Sequence, residues 1–277
     1  MSKNKTSTKQ KSKANTPKGN TKQQAKSHKK ADHYNDPNHN YLHYWNGRDY
    51  EHASEVIALS KLLGGKHFDH AVDVGGGYGR LSAVLTKYAD KVTLAEPSQQ
   101  QLDIAQDYLK DYPTVDIQLM QADDLKFDDA SIDLVTVVRV LHHLPDPTAE
   151  FAEIARILKP GGYFFFEFAN YANFKNRVKH IAKGKKLPLE PVDIRSEANR
   201  KEGDIAFVNH NPKTVRKQLA HAGLKVEKVL SVSNLRSPRI KKIVPHGGLL
   251  AIENLLQGSL ANTYFGPSTV FLVKKPE

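Results

Sequence analysis

The sequence predicts an α/β fold in which helices cover both faces of a parallel sheet. Three observations predict it. Between residues 68 and 169, short apolar runs alternate with stretches of helical spacing, joined by short connections. The run Ile132–Leu141 is almost continuously β-branched and aliphatic, as a strand buried on both faces should be. The first run, His70–Val74, ends in a cluster of glycines, a strand entering a tight turn. In order, the spacing then gives a helix at Leu81–Tyr88, a strand at Lys91–Ala95 and a helix at Ser98–Leu109 with Ser98 as N-cap. A strand follows at Val115–Met120, then Ile132–Leu141, a helix at Asp146–Leu158 closed by Lys159-Pro-Gly-Gly162, and a strand at Tyr163–Ala169. Upstream, Ser54–Leu63 reads as a helix.

Beyond residue 170 the rhythm loosens. Residues 171–206 are basic, polar and weakly periodic. Pro212–Ala222 is a helix ending at Gly223, and strands follow at Lys225–Val232 and Thr269–Lys274. The insert Ser233–Pro267 contains an apolar helix at Leu249–Leu260. That helix reads either as ordinary core packing or, like residues 171–206, as a lid over the carboxyl ends of the strands.

Charge divides the 277 residues unevenly. The whole chain is formally +11, but residues 1–30 hold ten lysines and no acid, so residues 31–277 carry a net +1. A segment with so few apolar groups cannot offset its ordering entropy by burial. Residues 1–36 are therefore expected to be a disordered Lys-rich tail, with one folded domain over 37–277. The tail reads as a solubilising segment or as an arm that holds nucleic acid by counterion release. No stretch approaches the ~20 apolar residues of a membrane span. The absence of cysteine excludes disulfides, thiolate metal sites and cysteine nucleophiles. A cytoplasmic location fits this composition, and the oligomeric state is not legible.

The glycines lie in Ala71-Val-Asp-Val-Gly-Gly-Gly-Tyr-Gly-Arg80. Glycines let a backbone approach a ligand closely, and the helix start beyond them presents free N–H groups. A dinucleotide fingerprint beginning at Gly75 needs glycine at position 80, where Arg80 stands. What remains is Asp73, Gly75, Gly77 and Gly79 at alternate positions, with Gly76 between. Glu96 ends the second strand 17 residues after Gly79, where a carboxylate accepts two hydrogen bonds from a ribose diol. Arg80, in the first turn of a helix, opposes the helix dipole and points to an anion nearby.

Gln121-Ala-Asp-Asp-Leu-Lys-Phe127 and Asp128-Asp-Ala-Ser-Ile-Asp-Leu-Val135 follow in register. So do Val140-Leu-His-His-Leu-Pro-Asp-Pro147 and Ile157-Leu-Lys-Pro-Gly-Gly162. Together these blocks resemble the class I S-adenosylmethionine-dependent methyltransferases of the ubiquinone/menaquinone type, over residues 70–165. The resemblance implies a Rossmann-like sheet, mostly parallel with the last strand antiparallel, carrying helical inserts on the substrate side. It implies S-adenosyl-L-methionine as cofactor and methyl transfer to a small or lipid-like acceptor. The alternative acceptor is RNA or ribosomal protein, with the tail as binding arm. In the resemblance Gln121 and Ala122 meet the adenine. Gln121 stands where the family carries Asp, and a register shift that makes Asp123 the contact is open. Asp73 orients the loop or holds the methionine ammonium, Pro97 flanks Glu96, and the backbone at Val138 and Arg139 lines the cofactor.

Tyr41-Leu-His-Tyr-Trp-Asn-Gly-Arg-Asp-Tyr-Glu51 packs four aromatics and an arginine into eleven residues. Similar methyltransferases close such a segment over the cofactor, and Arg48, with Tyr50 beside it, fits the methionine carboxylate. Aromatic packing with a surface arginine is the competing reading. Methyl transfer needs a base only when the acceptor must lose a proton. His142, His143 and His210 are the candidates, with Asn170 and Tyr171 similarly placed, although a strand-end histidine also caps or packs. Arg139-Val-Leu-His142 is not the tetrad of amino-group methylases, and no acidic and His cluster after the fourth strand suggests a metal.

Overall fold

The computed structural model of the protein describes residues 41–201 and 205–277; the tail expected over 1–36 lies outside the described residues. A short helix α1 (Tyr41–Tyr44) leads into α2 (Asp49–Leu63). The alternating region is β1 (Phe68–Val74), α3 (Ser82–Leu85), β2 (Ala89–Glu96), α4 (Gln99–Tyr108), β3 (Val115–Leu119), β4 (Ile132–Val137), α5 (Thr148–Ile157) and β5 (Leu158–Ala169). Then come α6 (Phe174–Ala182), β6 (Val192–Asp193), α7 (Glu197–Lys201), β7 (Val208–Asn209) and α8 (Pro212–His221). The chain ends with β8 (Lys225–Val232), α9 (Pro238–Ile243), α10 (His246–Ser259) and β9 (Ser268–Lys274).

Seven strands form one sheet in the order β3-β2-β1-β4-β5-β9-β8. β1 to β5 pair in parallel, and β9 lies between β5 and β8, antiparallel to both. The strand order reverses at β1 and β4, so the carboxyl ends of these two strands open the crevice where such sheets bind ligands.

The pleat of β5 sends alternate phenylalanines to opposite faces. Phe164, Phe166 and Phe168 join Phe151 of α5 and Phe271 of β9 on one side, while Phe165 meets Leu59 and Leu63 of α2 on the other. All six phenylalanines are at most 1% exposed. Burying each such ring contributes about 1.5–3 kcal/mol, and the Phe164–Phe166 stack, with centroids 4.6 Å apart, adds further aromatic contact.

Three elements depart from the sequence expectation. The helix expected over Leu81–Tyr88 is four residues long, because Lys87 and Tyr88 close 3₁₀-type turns and the Tyr88 carbonyl already accepts from the Phe68 N–H. The strand expected to Leu141 stops at Val137. Arg139 adopts φ +62°, which turns the backbone out of the sheet, and Leu141–His143 form a 3₁₀ turn. Residues 171–206, weakly periodic in sequence, contain two helices and a strand that pairs with β7. Ser98 caps α4 as expected, its hydroxyl accepting from the Gln101 N–H at 3.2 Å. The apolar helix of the 233–267 insert is α10. It packs on α2 and β8 and buries Leu249, Glu253 and Gln257 there.

Candidate functional site

The carboxyl end of β1 carries the glycine loop, and the chain geometry explains the residue type. Gly75 has φ +65°, and a Cβ there would sit 2.5 Å from Val140 Cγ2. Gly79 has φ +86°, and its Cβ would meet Leu109 Cδ1 at 2.4 Å. Both the handedness and the space therefore demand glycine. Beneath the loop Asp73 is buried, and its carboxylate accepts from Ser82 Oγ and Thr136 Oγ1, each at 2.7 Å. Burial pushes this carboxyl up, and the two hydroxyls only partly offset it. A Cβ on Gly76 would lie 2.6 Å from Asp73 Oδ2, so Asp73 is placed as the support on which the loop rests.

Glu96, at the carboxyl end of β2, is 5% exposed and faces the loop. Its carboxylate accepts the Gly77 N–H at 2.9 Å and the Ser98 N–H at 3.0 Å. These two donors, one from the loop and one from the start of α4, fix the orientation of the carboxylate. Gly75 N–H donates to the Ala95 carbonyl and Met120 N–H to that of Glu96. These bonds draw the ends of β1, β2 and β3 together, with Gln121–Asp124 forming a turn at the rim. Gln121, Asp123 and Pro97 are exposed there and Ala122 is half-buried. A glycine cradle beside a carboxylate pinned by backbone amides suits the chemistry of an adenosyl ribose.

The ends of β4 and β5 carry a different construction. Glu55 of α2, 2% exposed, receives Arg80 Nη2 and Arg139 Nε on its two oxygens, each at 2.6 Å. Trp45 lies under both guanidiniums, 3.7 Å from Arg80 and 4.9 Å from Arg139. His52 Nδ1 also meets Arg80. The anion that Arg80 announces in the sequence is therefore Glu55, supplied by the protein. Glu167 of β5 is buried and accepts the Arg139 N–H at 3.2 Å. Burial raises its carboxyl, against the pull of Arg139. Burial alone would lower Arg139, but Glu55 and Glu167 raise it. Arg236, from the loop after β8, comes within electrostatic reach of Arg139 and Glu167.

The N-terminal residues split. Arg48 sits over the Tyr44 ring at 3.9 Å. Tyr50 is 2% exposed, its hydroxyl donating to Glu253 Oε2 at 2.7 Å and accepting from the Leu235 N–H at 2.9 Å. Both hydrogen bonds tie α2 to the 233–267 insert, and burial together with Glu253 raises the phenol far above its usual range.

The three histidines also separate. His210 is buried and its Nε2 bonds the Leu141 carbonyl at 2.9 Å, while His143 Nδ1 bonds that of Ala206 at 2.9 Å. His142 makes ring contacts with His143 and Phe207, at 3.9 and 4.4 Å, and among the described residues no hydrogen bond reaches its nitrogens. Burial, then His143, Arg139 and His210, hold it well below the ordinary imidazole value. Asn170 is fully buried, its amide donating to the Tyr264 and Gly266 carbonyls at 2.8 Å, and the Tyr171 hydroxyl meets His180. Val138 is buried beside Arg139. Glu55, Glu167 and Arg236 carried no local signal, since only the fold brings their segments together.

Comparison with known proteins agrees with this layout. Residues 72–166 match the family model described as a methyltransferase domain. A ubiquinone biosynthesis O-methyltransferase of Coxiella burnetii is 34% identical over 112 residues, 38% of this chain and 45% of that protein. The chain spans about half the length of the curated relatives it matches. Among solved structures, an S-adenosylmethionine-dependent methyltransferase from Thermotoga maritima superposes with TM-score 0.56 at 20% identity, covering 86% of this chain and 94% of that one. The cyclase SpnF superposes with TM-score 0.55 at 17% identity, covering 81% of each. Such distant likenesses show the fold, and the cyclase shows that the fold hosts more than one chemistry. The sheet has the fold of the S-adenosylmethionine-dependent methyltransferases, and residues 72–166 are similar to the methyltransferase-domain family.

Proposed function

We propose that the protein transfers a methyl group from S-adenosylmethionine to a small or hydrophobic acceptor. The observation that carries this reading is Glu96, held by the Gly77 N–H across the end of the glycine loop. The residues fit the cofactor: Gly75, Gly76, Gly77 and Gly79 cradle it, and Glu96 beside Pro97 takes the ribose. Gln121 and Ala122 face the adenine, and the backbone at Val138 and Arg139 faces the reacting end. Arg48 and Tyr50 close the N-terminal side, Arg48 through charge and Tyr50 by fixing α2. When bound, the cofactor supplies a methyl group on a sulfonium, an electrophile with its leaving group already in place.

The chain's part is then positioning, which supplies up to about 7–11 kcal/mol of barrier reduction in well-oriented systems. Arg80, Arg139 and Trp45 pack around Glu55 and exclude water from that side. A hydroxyl acceptor must also lose a proton, and His142 suits that task because its imidazole is held in the neutral form and, among the described residues, nothing hydrogen-bonds its nitrogens. The name of the Coxiella burnetii relative supports an oxygen acceptor. Calorimetric titration with S-adenosylhomocysteine, and separately with NAD, tests the reading. Binding of the first alone is expected, and binding of NAD instead overturns it.

A further inference from the structure

α6 inverts the usual pattern of a surface helix. It buries no residue, and its apolar side chains at i, i+4 and i+7, Phe174, Val178 and Ile181, are 50%, 48% and 77% exposed. These three share one stripe of the helix. The opposite, polar side is pinned to the protein. His180 Nε2 meets the Tyr171 hydroxyl at 3.2 Å, Asn176 Nδ2 donates to the Tyr171 carbonyl at 2.9 Å, and Asn173 caps the helix through the Asn176 N–H at 3.0 Å. Phe174 is fixed at one end, its N–H donating to the Phe265 carbonyl at 3.0 Å. The outward apolar stripe is thus imposed by contacts on the inner face and does not arise from fraying.

Charge says what this stripe faces. From Phe174 to Leu189 there are six cations, Lys175, Arg177, Lys179, Lys183, Lys185 and Lys186, and no acid. Among the described residues none of the six pairs with a carboxylate. An apolar stripe flanked by unpaired lysines is what a helix lying in a lipid interface requires: the stripe enters the acyl boundary while the cations meet anionic headgroups. No helix among the described residues is long and apolar enough to cross a membrane, so the association is with one face only. α6 begins five residues beyond the end of β5 and so lies next to the ligand end of the sheet.

We propose that α6 docks the protein peripherally on an anionic lipid surface. The inference stands apart from the methyl-transfer reading, because it rests on α6 alone. Full-length protein is sedimented with vesicles of phosphatidylcholine and phosphatidylglycerol, and with phosphatidylcholine alone. Binding to the first only is expected, and no binding to the first overturns the proposal. The lysines of residues 1–30 attract the same vesicles by charge, so the deciding variants remove apolar contact. Val178→Ser with Ile181→Ser is expected to lower partitioning about tenfold, and Val178→Asp with Ile181→Asp to lower it further. Lys175→Glu with Lys179→Glu lowers it with loss of salt sensitivity. Serine variants that partition like wild type overturn the proposal. So do serine variants that lose RNA binding or self-association while vesicle binding persists. S-adenosylhomocysteine titration of the same variants keeps the two readings separate: cofactor binding is expected to be unchanged, and its absence in wild type counts against the methyltransferase reading alone.

Discussion

The two halves of the crevice are built in opposite ways. At the ends of β1 and β2, the construction rests on backbone: glycines, their N–H groups and one carboxylate, Glu96, all within 22 residues. At the ends of β4 and β5, it rests on charged side chains from five separate segments, gathered around Glu55 and Trp45. The first half depends on steric permission and the second on mutual neutralisation of buried charges. The two should fail differently, one losing ligand affinity with modest loss of stability, the other losing stability outright.

The largest effect is expected at Glu55. Glu55→Ala removes the carboxylate that bridges the Arg80 and Arg139 guanidiniums, and breaking a buried pair in this way costs about 3–5 kcal/mol. Urea unfolding measures it, and Trp45, the single tryptophan, reports the cluster through its emission. A loss below about 1 kcal/mol would mean the cluster is solvated like a surface pair. Next comes Glu96→Ala, which removes charge-assisted hydrogen bonds to the ribose and weakens S-adenosylhomocysteine by about 2–4 kcal/mol. If stability fell as far as affinity, the contrast between the two halves would collapse. Gly75→Ala places a Cβ against Val140 at a left-handed residue and costs about 1–2 kcal/mol. Adding Val140→Ala should recover the part due to collision. Gln121→Ala is expected to cost about 0.5–1.5 kcal/mol of cofactor affinity. A larger loss in Asp123→Ala would shift the adenine contact by two residues.

The smallest expected effect is a displacement along the pH axis. His142 is held well below 6.5 in the folded protein. The unfolded chain therefore takes up the proton first, and the stability this histidine carries is complete above about 6.5 and lost as pH falls below that value. If His142 is the base, kcat/KM keeps its full value at pH 6.5 and declines only in more acid solution. A decline centred at or above 6.5 assigns the proton to another group.

Legibility followed the same division. The geometry of the glycine-loop half was readable because the spacing of Gly75, Gly79 and Glu96 is set by one strand, one turn and the next strand. The seven-stranded sheet was readable for the same reason: its burial pattern repeats along the sequence. Arg80 gave half a message, since its dipole-opposed position implied an anion but not that Glu55, 25 residues earlier, supplies it. Glu167 is one polar residue inside an aromatic strand, and only the pairing of β4 with β5 sets it against the Arg139 N–H. The turn at Arg139 was hidden because a β-branched run continues past it. Tyr50 read as a neighbour of Arg48 beside the cofactor, and only the fold shows its hydroxyl donating to Glu253, 203 residues away.

The place of β9 bears on how the molecule assembles. Among the described residues β8 pairs only with β9, and β9 enters between β8 and β5. Residues 225–232 can therefore join the sheet only after residues 268–274 have been made and delivered. Until then the Phe164–Phe168 strand presents a row of open amides and apolar rings. Bringing β9 home closes a loop of about a hundred residues back to β5, a late and slow event by the logic of long-range contacts. The strand richest in buried phenylalanines thus keeps one edge open until late, which makes that edge a point of misassociation during synthesis.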